Sequence, residues 1–304
     1  MSKDIQMYNP QLDTFIKVAE AGSFNKAAEQ LFISPPAVIK QINLLEAALD
    51  IRLFTRTHRG LRLTKAGASL YEDSKFIVAY CKDSIIRAKS ADEDIQEVIR
   101  VGTSPMTPGQ FVVDLQPKLR PLLPDMKFQF VPFENKPDTA KHILSHLGSG
   151  IDVVAGIFDE EYLKRRGCAG LALSEEPIRC AVSVYHKLAK KESLTIEDLY
   201  GEDLMIIRRS WNSGVDRMRD DIETNHPQIH ITDFDFYNLD IFNQCENSNK
   251  LLMCIDYWAS VHPLLKVMPV EWEHTMTFGL LHSPKPSPTV KKFLKVVRKC
   301  VKNQ

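Results

Sequence analysis

The residues best suited to chemistry in this 304-residue chain begin at Ser34. Ser34 followed by Pro35 and Pro36 reads as a helix start, because serine caps the first turn and the N–H that proline lacks there would be unpaired anyway. Along that helix Val38, Ile42, Leu45 and Leu49 recur at three- and four-residue spacing and form an inward stripe that is complete without Ile39. Pro35, Pro36 and Ile39 then share a free face with Lys40 and Gln41. In a DNA major groove, apolar side chains pack on thymine methyls while polar ones reach base edges. This face is a candidate base reader, with Lys40 and Gln41 positioning the duplex or making one base contact each. Ile39 as one more core residue is the competing reading. Further on, Arg56, His58 and Arg59 sit in a basic turn that ends at Gly60, suited to a narrow minor groove or else to solvent.

A second set lies at the ends of apolar runs. Thr103 and Ser104 follow Val98–Gly102 and precede Pro105. At a strand end in an open α/β sheet, hydroxyls and free N–H groups can meet a ligand. Arg208 and Arg209 follow Leu204–Ile207 in the same way, and an arginine there can hold a carboxylate through two parallel hydrogen bonds. Phe158, Trp211, Tyr257 and Trp258 could line such a cleft or belong to a core. Other patterns carry less. His142 and His146 have the four-residue spacing of a helical metal pair, but no acidic or cysteine ligand stands close in sequence, so no metal is expected. Cys245 and Cys254 suggest a thiol switch, yet Cys254 lies inside Leu251–Ile255, where burial keeps a thiol inert. No Gly-rich phosphate loop, G-x-S-x-G elbow or catalytic triad is present, so neither an enzyme nor a cofactor is indicated.

The elements that must position these residues follow from patterning. Leu12, Phe15, Ile16 and Ala19 make an amphipathic helix ended by Gly22, and Ser23 caps a second helix with Ala27, Ala28 and Leu31 inward. After the third helix, Ile51–Phe54 and Leu61–Thr64 read as the two strands of a hairpin, or wing. From Lys65 to about Ser90, Leu70, Ser74, Ile77, Cys81, Ser84 and Ala88 alternate at four and three, an a/d seam that predicts dimerisation through Leu70, Ile77 and Cys81. Ala91–Asp94 is a polar hinge. Beyond it apolar strands and amphipathic helices alternate, as in an α/β unit with a mainly parallel sheet. The composition, 44% hydrophobic and 26% charged, excludes general disorder. The 39 basic and 39 acidic residues balance, but residues 1–67 hold nine basic against six acidic. A small basic head on an acidic body keeps a nucleic-acid contact local. No apolar run is long enough to span a membrane, the first residues lack the apolar core of a signal peptide, and six scattered cysteines fit reduced thiols, so a cytoplasmic protein is expected.

The N-terminal stretch resembles the LysR-type transcriptional regulators. The residues that carry the resemblance run from Leu12 and Phe15 through Gly22-Ser23-Phe24, Ala27-Ala28, Ser34, Pro36-Ala37-Val38 and Leu45-Glu46 to Leu63-Thr64 and Ala66-Gly67. The resemblance implies a winged helix-turn-helix over 1–67, a linker and dimerisation helix over 65–90, and an effector-binding domain over 91–304. That last domain would hold two Rossmann-like α/β subdomains similar to periplasmic binding proteins, one about 97–169 plus 271–304, the other about 170–270. It further implies a dimer or tetramer on an operator of two half-sites, with a small-molecule effector of unknown identity bound between the subdomains near Thr103, Ser104, Arg208 and Arg209. A thiol-based redox regulator is the alternative, with an enzyme using the α/β cleft behind it. Two features depart from the family pattern: Pro35 and Ile39 replace residues that usually hydrogen-bond, and Leu49-Asp50 replaces Leu-Gly.

Overall fold

A computed structural model describes residues 7–57, 60–92 and 97–302. The chain divides into two units, Met1–Ile95 and Gln96–Gln304. In the first, helices α1 (Gln11–Ala21), α2 (Phe24–Leu31) and α3 (Pro35–Leu49) precede a hairpin of β1 (Phe54–Thr57) and β2 (Gly60–Leu63), and α4 (Lys65–Asp92) follows. α1 stops at Gly22, whose φ of 61° is left-handed and favours a residue without Cβ. α3 starts as its sequence dictates, with the Ser34 hydroxyl accepting from the Ala37 N–H and proline in the first turn. Asp50 then takes the left-handed position, φ 52°, that glycine usually fills, so the departure from Leu-Gly keeps the turn. Gly67 lets α4 approach the wing, since a Cβ there would lie 2.1 Å from the Leu53 carbonyl oxygen.

Phe15, Val18, Ala27, Val38, Ile42 and Leu45 close the core of this unit, with Leu53 and Val78. The Phe15 ring meets Phe54 and Tyr71 edge-on at 5.5 and 6.4 Å. Truncating so completely buried a ring to alanine costs about 3–5 kcal/mol. The third-helix stripe differs from expectation in one turn. Leu49 is 43% exposed, and Glu46 is buried in its stead. The reason is polar: the Glu46 carboxylate accepts from the N–H groups of Leu53 (2.6 Å) and Phe54 (3.2 Å) and pairs with Arg52 at 3.0 Å. The N–H groups so occupied are those leading into the wing, and the first strand begins at Phe54, three residues later than the apolar run suggests.

The second unit holds two five-stranded sheets. Its elements are β3 (Val98–Thr103), α5 (Gln110–Leu119), β4 (Lys127–Pro132), α6 (Pro137–Ser145), β5 (Val153–Ile157), α7 (Glu160–Arg166), β6 (Ala169–Pro177), β7 (Arg179–Ser183), β8 (Asp203–Ile207), α8 (Ser213–Asn225), β9 (His230–Phe234), α9 (Leu239–Ser248), β10 (Leu251–Cys254), β11 (Leu265–Pro269), β12 (Thr275–His282) and α10 (Pro288–Lys302). Strand order is β4-β3-β5-β12-β6 in one sheet and β11-β7-β10-β8-β9 in the other. β4, β3 and β5 run parallel and β12 antiparallel to its neighbours; β9, β8 and β10 run parallel and β7 antiparallel. Leu204–Ile207 and Leu251–Cys254 are wholly buried, which is why these strands read as unbroken apolar runs rather than as alternation.

The subdomain boundary expected near residue 170 lies later. β6 pairs along its whole length with β12, from Ala169↔His282 to Pro177↔Thr275, and belongs to the first sheet. The chain crosses at buried Ile178, whose N–H bonds the His274 carbonyl while its own carbonyl accepts from the Trp272 indole. The two crossing segments thus hold each other.

Candidate nucleic-acid interface and ligand cleft

α3 turns Val38, Ile42 and Leu45 into the core. Its outer face is a shallow groove of Pro36, Ile39, Lys40, Asn43 and Leu44, spaced at i, i+3, i+4, i+7 and i+8. Ile39 is half-buried at the groove floor and Leu44 is 49% exposed. The groove brings together Pro36, Ile39 and Lys40; Pro35 sits half-buried at the first turn and Ser34 is exposed at the cap. Gln41 departs from the group. Its Oε1 accepts from the Thr14 hydroxyl on α1, so the amide braces two helices rather than facing outward. Asn43 and Leu44 take its place, one able to pair with adenine and the other apolar; the helical repeat from Pro36 and Ile39 was the available signal. In the wing, the Arg56 backbone lies opposite Leu61, while His58 and Arg59 lie outside the described residues.

The α4 seam also divides. Leu70 packs on the helix-turn-helix core with Tyr71 and Val78, Ser74 is buried, and the Cys81 thiol reaches the Met7 carbonyl at 3.8 Å. Leu70 and Cys81 thus face their own unit. Among the described side chains of α4, Ile77 and Tyr80 are the large apolar ones that face outward, 37% and 44% exposed.

In the second unit the two subdomains face each other across an apolar chamber. Met106, Phe133, Leu144, Trp211, Tyr237 and Trp258 form much of its wall, and among the described residues Arg166 is the one charged side chain in its lining. Polar bonds tie the walls across the gap. Asn135 donates to the Tyr237 carbonyl (2.7 Å), the Trp258 indole to the Met106 carbonyl (3.0 Å), and the Ser213 N–H to Asp159 (2.6 Å). Arg165 bonds the carbonyls of Ser210 and Trp211. Burial pushes the Asp159 carboxyl up, but bonds from the Ser213 and Tyr162 N–H groups, with Arg165 nearby, outweigh it and hold the group below the usual carboxylate range. Burial raises the Tyr162 phenol, against an opposing pull from Arg166.

Thr103 and Ser104 do not line the chamber. Thr103 Oγ1 accepts from the Gly109 N–H at 3.2 Å, and Ser104 Oγ lies 2.8 Å from Thr107 Oγ1. They build the turn that presents Met106 and Thr107 to it. Arg208 and Arg209 are also outside, in an adjoining concavity with Lys141, Arg165 and Arg166. Arg208 pairs with Asp235 at 2.8 Å, and Arg209 with Asp220 and Glu223 at 2.7 and 2.8 Å. Of the expected aromatics, Trp211 and Trp258 line the chamber, whereas Tyr257 stacks on Phe278 at 3.9 Å. Phe158 is core. His142 and His146 stack at 4.5 Å, and among the described residues no cluster of three metal-ligating side chains forms. Cys245 and Cys254 are buried; desolvation pushes the Cys245 thiol up to about 12 and the Cys254 thiol well up, the opposite of a reactive pair.

A winged helix-turn-helix followed by a two-lobed α/β unit is the build of LysR-type regulators. The lysR-family bacterial regulatory helix-turn-helix description matches residues 10–68, and the LysR substrate binding domain matches residues 92–300. The chain belongs to the LysR family. It is similar to an HTH-type transcriptional regulator of Methanocaldococcus jannaschii, 28% identical over 192 residues, 62% of each chain. It is also similar to the regulator ClcR of Pseudomonas putida, 43% identical over 81 residues, 27% of this chain and 28% of that one. These alignments span less than two thirds of either relative. In fold the chain resembles the crystal structure of CbnR, a LysR family transcriptional regulator, with TM-score 0.74 at 19% identity over 97% of this chain and 99% of that one. CbnR in complex with its target DNA gives a TM-score of 0.71 at 20% identity over 97% of this chain and 100% of that one. Among the described residues no helix is long and apolar enough to cross a membrane.

Proposed function

We propose that this chain is a sequence-specific transcriptional regulator that binds an operator of two half-sites and changes that contact when a small molecule enters the cleft between its effector subdomains. The observation that carries the reading is the α3 groove: Pro36, Ile39, Lys40, Asn43 and Leu44 line the outer face of a helix whose opposite face, Val38, Ile42 and Leu45, is buried in the core. An exposed apolar strip beside a lysine and an amide suits thymine methyls, a phosphate and a base edge together. The wing's Arg56, His58 and Arg59 extend the contact into the minor groove. Self-association through α4 uses Ile77 and Tyr80, and two copies match two half-sites. In this reading the protein acts in the cytoplasm as a regulator and needs no cofactor, metal or turnover to do so.

Footprinting of the full chain on the DNA around its own gene, over a salt series, tests the reading. Protection of two half-sites one or more helical turns apart is expected, with affinity falling steeply as salt rises. Salt-insensitive or sequence-indifferent binding would overturn it.

A further inference from the structure

The effector cleft has a polarity that selects among ligands. Its inner chamber is walled by Phe133, Trp211, Tyr237 and Trp258, and two of the polar groups there are already used: the Trp258 indole bonds Met106 and the Tyr237 hydroxyl bonds Met253. At one end the chamber shares Tyr162, Arg166 and Trp211 with the basic concavity. Most cations of that concavity are spent. Arg208 and Arg209 hold acids and Arg165 holds two carbonyls. Arg166 is different: it lies 5.5 Å from the Tyr162 ring centre, over its face, and has no acidic partner among the described residues, and neither has Lys141 beside it.

Resting on the cleft reading above, we propose that the effector is a largely apolar monoanion, a ring or short acyl body in the chamber with a single carboxylate at Arg166 and Lys141. A charge-assisted bond to a guanidinium that shares only the Tyr162 side chain and no acid is strong where water is thin. A second carboxylate would instead be buried among aromatic rings with no counter-charge, and the α-ammonium of an amino acid whose carboxylate sits at Arg166 and Lys141 would lie beside two like charges. Diacids and free amino acids are therefore disfavoured where the monoacid is admitted.

Thermal unfolding of the full-length protein tests this with phenylacetate, indole-3-acetate and octanoate, each beside its primary amide, and with 1,4-phenylenediacetate and phenylalanine. The monoacids should raise the melting temperature of the effector unit, with the amides and doubly charged compounds at least about tenfold weaker. Arg166→Met should weaken the monoacids about tenfold or more while leaving the amides unchanged, and Arg166→Lys should restore part of the loss. Ala140→Phe, which fills the chamber, should abolish binding of all; the unliganded melting point of each variant reports its folding. If the monoacids bind Ala140→Phe as they bind wild type, the cleft reading itself fails. If a diacid, amino acid or amide binds more tightly than the monoacids and is lost in Ala140→Phe, the cleft stands and the monoanion assignment fails. It fails equally if no monoacid shifts the melting point at millimolar concentration.

Discussion

The α3 groove and the effector chamber are both apolar surfaces fringed by cations, but they are assembled in opposite ways. The groove comes from nine consecutive residues, Pro36 to Leu44, on one helix whose other face is locked by core packing. The chamber gathers Met106, Ala140, Gly156, Arg166, Trp211 and Trp258 from segments spread over some 150 positions and both subdomains. In the proposed DNA-reading role, a change in the groove alters contacts made by a single helix. Chamber residues are coupled through the bonds that span the gap, so a change alters how the subdomains meet. A reader of fixed sites tolerates independence, whereas a sensor whose bound state must be felt elsewhere requires coupling.

The largest expected effect separates the two surfaces by copy number. Ile77→Glu places a charge on the outward face of α4, where pairing of two copies would bury it unpaired at a cost on the order of several kcal/mol. Sedimentation should show monomers, operator affinity should fall by orders of magnitude, and ligand binding in the cleft should persist. A fully dimeric Ile77→Glu at micromolar concentration would place the seam elsewhere. Next comes the brace behind the groove. Glu46→Ala leaves the N–H groups of Leu53 and Phe54 without their carboxylate and should lower the stability of the first unit by about 2–4 kcal/mol. Calorimetry should show that transition move while the second unit's stays.

Between the subdomains, Asp159 caps α7 through the Tyr162 N–H (2.7 Å) and reaches Ser213 across the gap. Asp159→Ala should cost the second unit about 1–2 kcal/mol. The sign with pH follows from its lowered pKa. The stabilisation is complete above the unfolded value of 3.8 and is lost as pH falls through the lower folded value. Acid titration of wild type against Asp159→Ala should therefore converge at low pH; a constant gap would assign the effect to packing. The smallest effect sharpens the groove. Replacing a contacted thymine by uracil removes only the methyl and should cost about 1 kcal/mol per half-site in wild type, and nothing in Ile39→Ser. If no uracil separates the two proteins, Ile39 is not a base reader.

Much of the first unit was legible because its signals are local. Gly22, Ser34-Pro35 and the Val38–Ile42–Leu45 repeat each declare themselves within a turn or two of helix. The same holds for the apolar strands Leu204–Ile207 and Leu251–Cys254, whose burial on both faces shows as unbroken runs. The assignments that failed were ones that depended on a distant partner. Glu46 is absent from the inward stripe that spacing predicts, yet the N–H groups of Leu53 and Phe54 draw it in, and Gln41 reads as a DNA contact although Thr14 holds it. Arg208 and Arg209 stand at a strand end as read, but Asp235, Asp220 and Glu223 claim them, leaving Arg166 to face the chamber. β6 shows the same limit in the backbone, since only its ladder with β12 decides which sheet it joins. Periodicity and capping are properties of a few neighbouring residues and so are written in their order. Which charges are already paired, and which one remains to meet a ligand, is decided only when segments far apart in the chain are brought within hydrogen-bonding distance.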